Sequence, residues 1–124
     1  MRLIETTAAP GAIGPYSQAF EVNGFVFTSG QIPVNPANGT IPEGIQEQAE
    51  QSCKNVAAIL KAAGTGMEHV IKTTCFLADM NDFAAFNEIY AKYFVGKPAR
   101  SCVAVKTLPK GCLCEIEAIA EMQT

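Results

Sequence analysis

The chain has 124 residues, 48% of them hydrophobic and 17% charged, with a formal net charge of −3. That length and apolar content suit one domain, residues 1–124, with an ordinary packed core, and exclude a disordered chain. No cluster of Lys and Arg offers a footprint for a phosphate backbone, and no apolar run approaches the roughly 20 residues of a membrane span.

Residues 1–6 carry no apolar leader, so no signal peptide is expected. Residues 3–6 read as a short strand, and Pro10, Gly11, Gly14 and Pro15 break the following stretch into a loop. Two apolar-rich runs, 16–22 and 25–29, flank Asn23-Gly24. That dipeptide tolerates positive φ at both central turn positions, so the runs form a β-hairpin. Residues 30–44, with three prolines, are a loop. Ile45, Ala49, Cys53, Val56, Leu60 and Ala63 recur at three- and four-residue steps, which predicts a helix over 45–63 ended by Gly64. The β-branched run 70–77 is a strand. Asp79 or Asn81 caps a second helix over 82–94, whose buried stripe is Phe83, Phe86, Tyr90 and Phe94. Gly96 and Pro98 stop it. Strands at 99–105 and 112–121 follow, joined by a turn at Pro109-Lys110-Gly111.

The order β-β-β-α-β-α-β-β predicts an α+β fold: a mixed sheet of six strands with both helices packed on one face. Two helices cannot cover both faces of such a sheet. In the last strand Cys112, Cys114, Ile116, Ala118 and Ala120 share one small, apolar face that fits under helices. Leu113, Glu115, Glu117 and Ile119 share the other. A solvated face is usually more uniformly polar, so this one is expected to be buried between subunits, with its carboxylates lining a cleft.

Arg100 is the first candidate for chemistry. It begins an apolar strand, where a guanidinium is costly unless paired. Two readings follow: a salt bridge to Glu115 or Glu117 across the two C-terminal strands, or a fork that holds a carboxylate ligand through two parallel hydrogen bonds. Glu115, beside a buried cleft, either polarises a water or is an ion-paired glutamate. Glu117 reads as structural. Cys102 shares a face with Arg100. A thiol nucleophile needs a base, and nothing brings the single histidine, His69, near it. Cys102 therefore reads as a structural cysteine whose backbone N–H and C=O remain free for a substrate. Tyr16 and Ser29 sit at loop edges suited to a pocket rim, or are ordinary turn residues. Cys112 and Cys114 form C-x-C without the two further ligands that zinc needs, so no metal site is expected. Five cysteines in irregular spacing, with no C-x-x-C, read as reduced thiols in a cytoplasmic protein. Neither Gly11-x-x-Gly14 nor Gly64-x-Gly66 matches a nucleotide fingerprint.

The sequence resembles the RidA (YjgF) family of enamine/imine deaminases over nearly its whole length. The resemblance rests on Gly14-Pro15-Tyr16-Ser17-Gln18-Ala19, Ser29-Gly30-Gln31-Ile32-Pro33, Asn55-Val56 and Phe86-Asn87-Glu88-Ile89-Tyr90. It continues through Pro98-Ala99-Arg100-Ser101-Cys102-Val103, Leu108-Pro109-Lys110 and Glu115-Ile116-Glu117-Ala118-Ile119-Ala120. It implies a chorismate-mutase-like fold assembled as a homotrimer, with a central barrel and three clefts between subunits. The implied reaction is hydrolysis of reactive 2-enamino or 2-imino acids, such as 2-aminoacrylate and 2-iminobutyrate, to 2-oxo acids and ammonia, without a cofactor. Arg100 would hold the substrate carboxylate, Glu115 would position water, and the Cys102 backbone would meet the imine nitrogen. Tyr16, Ser29 and Asn87 match the pocket lining. Ala104, Cys112 and Cys114 depart from the family's usual residues without touching that chemistry.

Two rival functions remain. A ribonuclease or translation inhibitor would need a basic surface, against which stand the net charge, the single histidine and the lack of a basic stripe. A regulatory module that binds a small ligand without turnover would keep the same cleft.

Overall fold

The computed structural model describes residues 1–123. Six strands form one sheet: β1 (Arg2–Ile4), β2 (Ala19–Val22), β3 (Phe25–Thr28), β4 (Val70–Leu77), β5 (Ala99–Ala104) and β6 (Cys114–Glu121). Two helices, α1 (Ile45–Ala63) and α2 (Phe83–Tyr93), complete the expected order. Across the sheet the strands run β1-β2-β3-β6-β4-β5. β5 is parallel to β4, with α2 as the crossover, and every other pair is antiparallel.

The local chemistry explains the boundaries. Asn23 and Gly24 turn the β2–β3 hairpin at φ of 52° and 83°, as a two-residue primed turn requires. Gly64 closes α1 at φ 98°, and its N–H reaches the carbonyls of Leu60 and Lys61; an L-residue with a Cβ would resist that angle. Asp79 caps a 3-10 turn, Met80–Asp82, rather than α2 itself. The helix therefore starts one residue later than its apolar pattern suggests. β2 starts three residues later than expected because the Gln18 side chain is committed to the preceding loop. Its Nε2 donates to the carbonyls of Thr6, Ala9 and Pro10, and its Oε1 accepts from the Thr6 N–H at 2.7 Å.

The core lies between the helices and one face of the sheet. Ala49, Cys53, Val56, Ile59 and Leu60 of α1 and Phe86 of α2 pack against Val26, Cys75, Leu77, Cys114 and Ile116, all with no exposure. Burying a side chain the size of Leu or Phe contributes about 1.5–3 kcal/mol. β6 alternates as its sequence requires, Cys114, Ile116, Ala118 and Ala120 inward and Glu115, Glu117 and Ile119 outward.

No helix covers the outer face. Register lines up Leu3, Phe20, Phe27 and Ile119 across four strands, an apolar row that includes two strongly exposed side chains, Leu3 and Phe27. Beside it, Glu115 is level with Phe76, which is level with Val103.

Candidate active site

Arg100 turns to the helix face of the sheet. It is the register partner of Thr73, itself level with Ala118, and both of those side chains are buried under the helices. There α2 supplies a platform. Asn87 Oδ1 accepts a hydrogen bond from Arg100 Nη1 at 2.7 Å. The rings of Tyr90 and Phe83 lie 4.7 and 5.4 Å from the guanidinium carbon. Phe83, Asn87 and Tyr90 recur at four- and three-residue steps, so one helical face presents all three. Among the described residues no carboxylate pairs with Arg100. The salt bridge to Glu115 or Glu117 is not made, because β4 lies between β5 and β6 and the two C-terminal strands are not neighbours. Beside the guanidinium opens a hollow of about 510 Å³, lined by residues that include Asn87, Tyr90, Lys97 and Arg100 and no acid.

Cys102 lies on the same face, level with Cys75. Burial pushes its thiol pKa up, against a smaller lowering by Arg100, so at neutral pH it is protonated and a poor nucleophile. Val105 N–H bonds to Leu77 O. Alternation along a strand then points the Cys102 N–H and C=O away from β4, toward the free edge of the sheet. Cys112 and Cys114 are buried, and among the described residues no group of three or more His, Cys, Asp or Glu could hold a metal.

Glu115 sits on the opposite, outer face. Its carboxylate occupies the space that a Cβ on Gly30 would need. Reciprocal backbone bonds between Gln31 and Ile116, at 2.7 and 3.2 Å, fix that closeness. Burial, and then the neighbouring charge of Glu117, raise the Glu115 pKa above the usual carboxylate range. The carboxylate is thus a stronger base than an exposed glutamate. Ser29 Oγ is tied to Ser17 O at 2.5 Å. Tyr16 and Gly30 line a cleft of about 230 Å³ together with Ile13, Gln31, Ile32 and Lys110.

The candidate residues therefore fall into two groups. Arg100, Asn87 and Cys102 gather at the β5 edge on the helix side. Glu115, Ser29 and Tyr16 gather at the start of β6 and on the loops beside it. Arg100 is level with Ala118 and Glu115 is three residues on, an odd step that reverses the face. One sheet separates the guanidinium from the carboxylate. His69 belongs to neither group. It precedes Val70 at the start of β4, seven residues from Phe76, the partner of Glu115, about 23 Å along a strand, and its ring nitrogen contacts Gln123.

Residues 6–122 match the model of the family described as Endoribonuclease L-PSP. The chain belongs to that family, the RidA (YjgF) family. Among RidA relatives, AldR of Lactococcus lactis, whose name marks it as a suspected regulator, is 53% identical over 126 residues, covering 100% of both chains. The 2-iminobutanoate/2-iminopropanoate deaminase of Mus musculus is 52% identical over 121 residues, 96% of this chain and 90% of that one. The crystal structure of Escherichia coli TdcF with bound serine has a TM-score of 0.95 at 50% identity, covering 99% of this chain and 100% of that one.

For this RidA-family chain, three contributors to the site escaped the sequence reading. Phe83 and Tyr90 were visible only as a buried helical stripe, and their stacking on Arg100 depends on which strand lies beneath α2. Gly30 was visible only as part of a motif. Its role depends on the Gln31–Ile116 pairing between segments about 85 positions apart.

Proposed function

We propose that the chain is a cofactor-independent deaminase that hydrolyses reactive 2-enamino and 2-imino acids, 2-aminoacrylate and 2-iminobutyrate among them, to 2-oxo acids and ammonia in the cytoplasm. One observation carries the reading: Arg100 is fixed on Asn87 and two aromatic rings, with no carboxylate partner among the described residues, beside a hollow without acids. Such a fork suits the carboxylate of a small acid. The near full-length identity to the mouse deaminase supports the same substrate class.

The site is composite in this reading. Arg100 and Glu115 of one chain face opposite ways, so Arg100, Asn87 and Cys102 of one copy work with Glu115, Tyr16 and Ser29 of the next. The row Leu3–Phe20–Phe27–Ile119 supplies a reason to assemble, since an apolar strip of that extent marks an interface. The assembly is a homotrimer whose outer sheet faces turn inward to form a barrel, with a cleft at each of the three contacts.

The chemistry is modest. An enamine first takes a proton from solvent on carbon and becomes the iminium. Arg100 holds its carboxylate, and the Cys102 backbone at the open edge of β5 orients the nitrogen. Water bonds to the electrophilic carbon as Glu115 takes its proton, giving a carbinolamine. Glu115 returns that proton to the nitrogen. Glu115 then takes the hydroxyl proton as the C–N bond breaks, ammonia departs, the 2-oxo acid remains, and the proton passes from Glu115 to solvent. Orientation and one placed water lower the barrier without a strong nucleophile.

The test couples a serine or threonine dehydratase to the protein and follows 2-oxo acid release. Acceleration is expected. No acceleration across several amino-acid precursors would move the reading to a regulatory ligand-binding module, and RNA cleavage that survives Arg100→Ala would move it to a ribonuclease.

A further inference from the structure

Arg100 is held in a closed ring of contacts that passes through two residues outside the proposed chemistry. Thr73 and Arg100 are register partners on parallel strands. The Thr73 hydroxyl is fully buried and shares a 2.7 Å hydrogen bond with the Tyr90 hydroxyl. The Tyr90 ring then lies 4.7 Å from the guanidinium carbon, which closes the ring, and its other neighbour Phe94 stacks on it at 4.4 Å.

We propose that Tyr90 is a positioning residue: anchored through its hydroxyl to Thr73, its ring sets the plane in which the Arg100 guanidinium meets the substrate carboxylate. The inference rests on Arg100 being the carboxylate-binding residue. A guanidinium on a free sheet edge would sample many rotamers, and two-point recognition requires one plane. The single bond to Asn87 fixes one nitrogen and leaves rotation about that bond. A ring face beneath the cation removes that rotation. Phe83, at 5.4 Å, is farther away and has no hydroxyl to anchor it. Burial pushes the Tyr90 pKa up, so its hydroxyl stays protonated and bonded to Thr73 at neutral pH.

The test measures KM for 2-iminobutyrate, kcat, the Kd of the product 2-oxobutyrate by calorimetry, and Tm. Thr73→Val and Tyr90→Phe each remove the Thr73–Tyr90 hydrogen bond while keeping volume, and Thr73→Val also removes the acceptor of the long 4.0 Å contact from Cys75 Sγ. Each is expected to weaken Kd and raise KM about two- to tenfold with kcat less affected, and the double variant should be no worse than the weaker single. Tyr90→Leu removes the ring and should cost about three- to thirtyfold in Kd. In an Arg100→Ala background it should cost nothing further. A purely structural role would lower Tm and weaken Kd equally in both backgrounds, which would overturn the proposal. A Kd weakened by Arg100→Ala but unmoved by Tyr90→Leu would overturn the clamp alone. A Kd unmoved by Arg100→Ala would overturn the reading of Arg100 and the clamp with it.

Discussion

The carboxylate of Glu115 lies against Gly30, in the volume that any larger residue would claim. Gly30 is not among the glycines at positive φ, so alanine meets no backbone strain there, and its cost is the collision with Glu115. The colliding atoms are the far end of a flexible side chain, which swings aside more readily than a backbone. Gly30→Ala is expected to fold with an unchanged melting temperature and to lose about tenfold or more in kcat, since a placed base contributes about 10²–10⁴. Steady-state kinetics beside a thermal melt checks this. Full activity would mean that Glu115 does not act from that position.

Titration of Glu115 gives a second expectation. Desolvation first, and Glu117 second, raise its pKa, and in the proposed mechanism it acts in the ionised form. The acidic limb of kcat/KM should therefore lie above the ordinary carboxylate range, move down in Glu117→Gln and vanish in Glu115→Gln. The sign for stability is the reverse. Between the unfolded and the raised folded pKa, the folded chain holds a proton that the unfolded chain has released, so stability falls as pH rises through that window. Glu115→Gln should then melt higher than the wild type at neutral pH while hydrolysing more slowly. A lower melting temperature would contradict the sign.

Complementation tests whether the site spans two chains. Arg100→Ala is expected to lose the proposed charged hydrogen-bonding pair with the substrate, worth about 1.5–3 kcal/mol, a ten- to hundredfold loss in substrate handling. Glu115→Gln should keep binding and slow hydrolysis. Mixed and reassembled, the two variants should recover activity, because a mixed trimer contains one contact where an intact Arg100 meets an intact Glu115. Activity no higher than the average of the separate variants would refute sharing.

The proposed trimer depends on the outer apolar row. Phe27 is flanked by Phe20 and Ile119 and is 43% exposed in the single chain. Phe27→Asp places a charge in that row while leaving the helix-side core intact. Native mass spectrometry should then report a single-chain mass, with deaminase activity lost. A trimer of unchanged mass would mean that the copies meet elsewhere.

Much of this was legible before the fold was known. The helical steps from Ile45 to Ala63 and the alternation from Cys114 to Glu121 fix which faces are buried, because periodicity directly encodes burial. Asn23-Gly24 and Gly64 mark turns that other residues resist. Strand neighbours were not legible. The residues of β5 and β6 follow each other in sequence, and nothing in their composition announces that β4 lies between them. That one topological fact removes the Arg100–Glu115 salt bridge and leaves the guanidinium without a carboxylate partner among the described residues. The platform under Arg100 was hidden for a related reason: Phe83 and Tyr90 look alike whether they pack on aliphatic side chains or under a cation.

In the proposed shared site, the sheet between Arg100 and Glu115 also sets a kinetic rule. A newly made chain carries both groups on opposite sides of a wall that no bending of its own can bring together. Under that proposal catalytic power arises at encounter, and the rate per chain should depend on how concentrated the protein is. Dilution below the dissociation constant of the assembly should extinguish turnover while every chain stays folded.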